Sequence, residues 1–110
     1  MTGYVYILHF DQPLAHARHY TGATANLPTR IAEHRSGSNG GRLPRVFRAL
    51  GVGFQVGRVE EYDDHKAAFR RERQIKRVAH GPRYCQICTP TSRARLRAGG
   101  KLWERDAILL

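Results

Sequence analysis

A chain of 110 residues is long enough for one modest hydrophobic core and too short for two, which excludes mechanisms that need several domains. Lysine and arginine number 19 against 9 aspartate plus glutamate, a net charge of +10 that points to an anionic partner. No stretch of about eighteen apolar residues occurs, the start lacks the basic-then-apolar order of a secretory signal, and two cysteines are too few for a disulfide scaffold. A soluble, cytoplasmic protein with no membrane partner is the expectation.

In chain order, Tyr4, Val5, Tyr6, Ile7 and Leu8 form an unbroken run of strand-favouring residues that Asp11-Gln12-Pro13 is expected to end. His19, Tyr20 and Thr21 form a second short run closed by Gly22, so the two make a hairpin. Alternation puts Tyr4, Tyr6 and Leu8 on one face and Val5, Ile7 and His9 on the other, and only one face is expected to be fully core. Asn26 and Pro28 mark a helix start, and the helix runs from about Leu27 to about Arg35 with Ser36-Gly37 as its stop. Leu27 and Ile31 form its apolar stripe, and Arg30 and His34 form a neighbouring one. Arg30 above His34 suits either a solvated helix surface or a grip on one phosphate.

Ser36 to Pro44 reads as a flexible polar loop flanked by basic residues, and Val46 to Leu50 as a short packed segment. Phe54, Val56 and Val59 lead through Glu60-Glu61-Tyr62 as a third strand. Between Asp11 and Glu60 the only acidic residue is Glu33, whereas Arg18, Arg30, Arg35, Arg42, Arg45, Arg48 and Arg58 all fall there. Arginine's planar fork matches phosphate oxygens, so Arg18, Arg35, Arg42 and Arg45 are the candidate nucleic-acid contacts.

Asp63 or Asp64 caps a helix from about Lys66 to about Val78 whose inward stripe follows Ala68, Phe69, Ile75 and Val78. Glu72 interrupts that stripe. A buried unpaired carboxylate is costly, so Glu72 needs a cation, a metal or a cleft, unless it lies at the stripe's margin and pairs with Lys76 one turn on. In the tail, Cys85-Gln86-Ile87-Cys88 has the spacing of half a zinc site, with His80 as a possible third ligand; structural or redox thiols are the other readings. Arg93, Arg95 and Arg97 extend the basic character, and Leu102 to Leu110 reads as a last amphipathic helix on the core.

Taken together, Tyr4-Val5-Tyr6, Tyr20-Thr21-Gly22, the run from Asn26 to Gly37 and the run from Ala67 to Lys76 resemble the GIY-YIG nuclease domain in order and spacing, most of all its small single-domain bacterial members. The resemblance implies an α+β fold with a three-stranded antiparallel sheet flanked by helices. The nuclease domain would cover residues 1–82, leaving 83–110 as a basic extension. It implies hydrolysis of nucleic-acid phosphodiesters, DNA more than RNA, at one Mg2+ or Mn2+ ion. The family's site positions match Tyr6, Tyr20, Arg30, His34 and Glu72. On that footing Glu72 holds the metal, Tyr6 activates the attacking water with Tyr20 hydrogen-bonded beside it, Arg30 neutralises developing charge and His34 orients the phosphate or the water. Tyr4 and Thr21 replace the glycine and isoleucine of the family's name. Ala23 follows Gly22 where some relatives carry lysine, so Arg18, His19 or a phosphate-bound arginine would have to supply that cation. Two other functions fit the same residues: a nucleic-acid-binding module that has lost turnover, and a zinc-linked interaction protein built on Cys85 and Cys88.

Overall fold

The computed structural model describes residues 1–14, 17–37, 42–78, 81–91, 96–108 and 110. Strands β1 (Gly3–Leu14) and β2 (Ala17–Thr24) form the hairpin, followed by helices α1 (Leu27–Ser36) and α2 (Arg42–Ala49), strand β3 (Phe54–Tyr62), helix α3 (His65–Val78), the single turn α4 (Gly81–Tyr84) and the short strand β4 (Lys101–Leu102). The sheet is antiparallel with order β2-β1-β3-β4. Among the described residues it therefore has four strands rather than the expected three, because the tail returns to pair Glu60 with Leu102 and Glu61 with Lys101. The final helix expected over Leu102 to Leu110 is replaced by that strand and a 3-10 turn at Arg105–Ala107.

β1 passes through Asp11-Gln12-Pro13 and pairs again at Leu14 with Ala17. The β1–β2 register shifts between His9 and Leu14, and a shifted ladder tolerates the N–H that Pro13 lacks. β1 lies between β2 and β3, and it is covered on both faces, contrary to the one-face expectation. Tyr6, Leu8 and Phe10 pack against Leu27, Ile31, Phe47, Val56 and Val59, while Val5 packs with Tyr62, Ala68 and Ile75 of the α3 side. Phe10 and Phe47 stack with ring centroids 3.7 Å apart, which fastens α2 to the sheet.

α1 starts where Asn26 Oδ1 accepts from the Thr29 N–H at 3.3 Å and ends at Gly37, whose left-handed backbone (φ 82°) suits a residue without Cβ. The apolar face it presents is Leu27, Ile31 and His34, so His34 belongs to the buried stripe. Of the loop expected from Ser36 to Pro44, Arg42 to Pro44 lie in α2 and residues 38–41 fall outside the described residues.

α3 is held at its start by the Asp64 carboxylate, which accepts from the Lys66 N–H at 3.1 Å. Its inner face is Ala68, Arg71 and Ile75. Phe69, assigned to that face from sequence, is 40% exposed and meets the His65 ring edge-on instead. Arg71 takes the inner position because a buried carboxylate waits there. Glu60 accepts from Arg71 Nε at 2.9 Å, from Arg58 Nε at 2.7 Å and from the Tyr62 hydroxyl at 2.6 Å. Burial and the Glu60 carboxylate push the Tyr62 phenol above its ordinary range, which keeps it a donor. Arg58, counted from sequence among arginines that suit phosphates, is 1% exposed and belongs to this network.

Candidate active site

The residues singled out from sequence come from four elements: Tyr6 from β1, Tyr20 from β2, Arg30 and His34 from α1, and Glu72 from α3. Register sets the first of them. Tyr6 lies opposite Gly22, and a Cβ at Gly22 would overlap the Tyr6 ring and hydroxyl, so the glycine makes the space in which the phenol lies. The Tyr6 hydroxyl then meets His34 Nε2 at 2.7 Å in a buried hydrogen bond. Tyr20 pairs with Leu8 across the hairpin and so points to the same side as Tyr6. Its ring centroid stands 6.4 Å from that of Tyr6 and 5.5 Å from that of His34. Among the described residues the Tyr6 hydroxyl is shared with His34 and Arg30, in place of the Tyr6–Tyr20 hydrogen bond expected from sequence.

Burial pushes the Tyr6 phenol well above its ordinary range, opposed by the hydrogen bond and charge of Arg30 and reinforced by the negative charge of Glu72. Arg30 thus bonds the hydroxyl itself, while Glu72 acts on it only through charge. Arg30 also reaches Glu33 Oε1 at 3.5 Å. Glu72 keeps 18% of its side chain exposed, at the margin of the inner face of α3, and Lys76 Nζ stands 3.6 Å from its carboxylate. The same Lys76 ammonium lies 5.5 Å above the Tyr20 ring. The sequence offers Lys76 only as a partner for Glu72 one turn on; that its ammonium also stands over the Tyr20 ring is what the fold adds.

The candidate nucleic-acid contacts are dispersed. Arg18 donates to the Phe10 and Asp11 carbonyls, and Arg35 donates to those of Phe54 and Leu110 while stacking over the Phe54 ring. Arg42 and Arg45 lie on the exposed side of α2. A cleft of about 240 Å3 borders His34 and Arg35 and runs between Pro44, Arg48 and Phe54. A second groove, of about 220 Å3, is lined by Arg70, Arg73, Gln74, Arg77 and Arg97. Arg70, Arg73 and Arg77 recur at helical spacing on the outer face of α3, a pattern visible in the sequence and passed over there.

Fold and site together define a small α+β domain of the nuclease class. Residues 2–82 match the family model of the GIY-YIG catalytic domain, and the chain belongs to the GIY-YIG family. Comparison with curated proteins and with solved structures gives no significant match. No helix among the described residues is long and apolar enough to cross a membrane.

Proposed function

We propose that the protein is a metal-dependent endonuclease that hydrolyses phosphodiester bonds of nucleic acid, with DNA as the expected substrate and residues 1–82 as the catalytic domain to which 83–110 is an extension. The observation that carries this reading is the convergence of Tyr6, Tyr20, Arg30, His34 and Glu72 from four elements onto one place. Glu72 is a fitting ligand for one hard divalent ion, Mg2+ or Mn2+: it is partly exposed, and its lysine partner at 3.6 Å is too distant to occupy it as a close hydrogen bond would. When bound, such an ion supplies positive charge to the phosphate oxygens.

The chain's own residues do the proton work. Burial makes a free Tyr6 phenolate costly, so Tyr6 acts as a relay rather than as a standing base. As the water oxygen attacks phosphorus, its proton passes to the Tyr6 oxygen while the phenolic proton moves across 2.7 Å to His34 Nε2. The phosphorus–oxygen bond to the leaving strand breaks, and that oxygen takes a proton from solvent. Arg30, beside Tyr6, offsets charge developing on the phosphate. Lys76 holds positive charge above Tyr20, in the role that the lysine missing after Gly22 would otherwise fill.

The test is cleavage of supercoiled plasmid, branched DNA and RNA, each with Mg2+ and with chelator, by wild type and Glu72→Gln. The substitution keeps side-chain volume and removes the charge that anchors the ion. Cleavage should fall by about 10² or more while binding and thermal midpoint hold, the scale of losing a principal electrostatic group. A fully active Glu72→Gln protein would overturn the assignment.

Nucleic-acid binding by the groove along α3 carries its own expectation. With about four phosphates contacted by Arg70, Arg73, Arg77 and Arg97, affinity should drop by about 10² over a fourfold rise in salt. An affinity that stays flat from low to physiological salt, in a fluorescence titration with labelled oligonucleotide, would remove this groove from the binding path.

A further inference from the structure

The tail cysteines have partners that lie far away in sequence. His9 of β1 and His19 of β2 are cross-strand neighbours in the hairpin, and Cys85 and Cys88 are laid against them after α4. Cys85 is buried, and it reaches the sheet because β3 carries Gly57 where the β1–β3 register shifts; a Cβ at Gly57 would stand 2.6 Å from Cys85 Sγ. The turn is fastened by main chain, with the Gln86 N–H donating to the Gly57 carbonyl at 2.9 Å and the Thr89 N–H to the Cys85 carbonyl at 2.9 Å.

Four ligand atoms result, all within 4.8 Å of one another. His9 Nδ1 is 3.2 Å from His19 Nε2, 3.5 Å from Cys85 Sγ and 3.4 Å from Cys88 Sγ, and Cys88 Sγ is 3.3 Å from His19 Nε2. A ring nitrogen has one proton or one lone pair, so His9 Nδ1 cannot satisfy three partners by hydrogen bonding. A common centre accounts for all of these contacts at once. For a tetrahedral ion with bonds of about 2.0–2.1 Å to nitrogen and about 2.3 Å to sulfur, the edges would be about 3.3 Å between nitrogens and about 3.6 Å between nitrogen and sulfur. The observed separations lie close to these.

We propose that His9, His19, Cys85 and Cys88 bind one structural Zn2+ ion, which ties the tail to the β1–β2 hairpin. Two thiolates and two imidazoles in a tetrahedron select zinc over the hard cations that a lone carboxylate would take. Four protein ligands leave no position for water, so the ion holds structure and does no chemistry on a substrate. Strand alternation puts His9 and His19 on the face opposite Leu8 and Tyr20, so the ion and the catalytic cluster occupy two sides of the same hairpin. The CxxC half of the site is plain in the sequence. His80, its possible third ligand there, lies outside the described residues, and the other half comes from a hairpin more than sixty residues upstream, which only the fold brings near.

The experiment is metal analysis of full-length protein purified under a phosphine reductant and without chelator, with wild type beside Cys88→Ser and His19→Gln. Wild type should carry about one zinc per chain, and each variant should lose most of it. Metal-free wild type titrated with Co2+ should develop the intense visible bands of a tetrahedral ion and the near-ultraviolet band of thiolate-to-cobalt charge transfer. Should the variants fail to fold, the wild-type stoichiometry and the cobalt spectrum still decide. Zinc well below one-tenth per chain together with no tetrahedral thiolate spectrum overturns the proposal, and so does full zinc retention in both variants.

Discussion

Glu60→Gln should lower the folding free energy by about 3–5 kcal/mol, read as a shift of the urea midpoint at unchanged slope. The carboxylate is fully buried and accepts from Arg58, Arg71 and the Tyr62 hydroxyl together. Glutamine keeps the shape but has one accepting oxygen where there were two, and its NH2 group must face a donor. Two guanidinium groups, one buried on β3 and one on α3, would then lose the counter-charge that Glu60 supplies, and breaking a buried ion pair from one side is what makes such losses large. Against a total stability of about 5–15 kcal/mol for a domain of this kind, the variant would be at the edge of folding. A loss under about 1 kcal/mol would show that water reaches these arginines and that the network is not sealed. The Glu60→Gln, Arg71→Leu double variant should recover part of the loss, since it removes one stranded cation along with its partner.

Arg30→Ala should reduce the cleavage rate by about 10²–10³ and leave substrate binding within a fewfold of wild type. The reason lies in where the guanidinium sits. It is hydrogen-bonded to Tyr6 and lowers the cost of negative charge on that phenol, in opposition to the desolvation that raises it. Both effects grow as charge builds up on the phosphate and shifts along the Tyr6–His34 hydrogen bond, and both are small in the ground state. A single-turnover assay at saturating protein separates the two quantities. If rate and affinity declined in parallel, Arg30 would serve as an anchor for the ligand and the charge-offset role would go. Lysine at the same position should restore less than a tenth of the activity, because a point charge cannot reach both Tyr6 and a phosphate as the fork does.

The candidate site was more legible in the sequence, as a set of residues that the fold brings near one another, than its surroundings. Tyr6, Tyr20, Arg30, His34 and Glu72 could be named because local spacing and the family resemblance agreed on them, and the caps Asn26, Gly37 and Asp64 lie where turn chemistry put them. The partner of the Tyr6 hydroxyl was not legible. That depends on the burial of His34, which reads correctly once Leu27, Ile31 and His34 are taken as one stripe. Phe69 was misassigned, and Arg71 left out of the inner face, for a different reason: periodicity ranks residues by apolarity, and a buried carboxylate on β3 reverses the ranking at one position. The tail was the least legible part. A two-residue strand carries no periodic signal, and its existence depends on an edge that β3 offers from forty residues away.

That edge has a bearing on how the protein behaves in company. The outermost carbonyls of β3 are spoken for along its length: Arg35 donates to Phe54, Arg105 donates to Val56 at 2.6 Å, the Trp103 N–H donates to Val59 at 3.0 Å, and β4 pairs with Glu60 and Glu61. An uncovered strand would be a template on which a second chain could extend the sheet. Here guanidinium groups and a short returning segment occupy the acceptors that such a chain would need, and they leave positive charge at the rim, which repels another copy of the same basic protein. Part of the arginine content that suits this chain to nucleic acid thus also covers acceptors on which edge-to-edge sheet extension would depend.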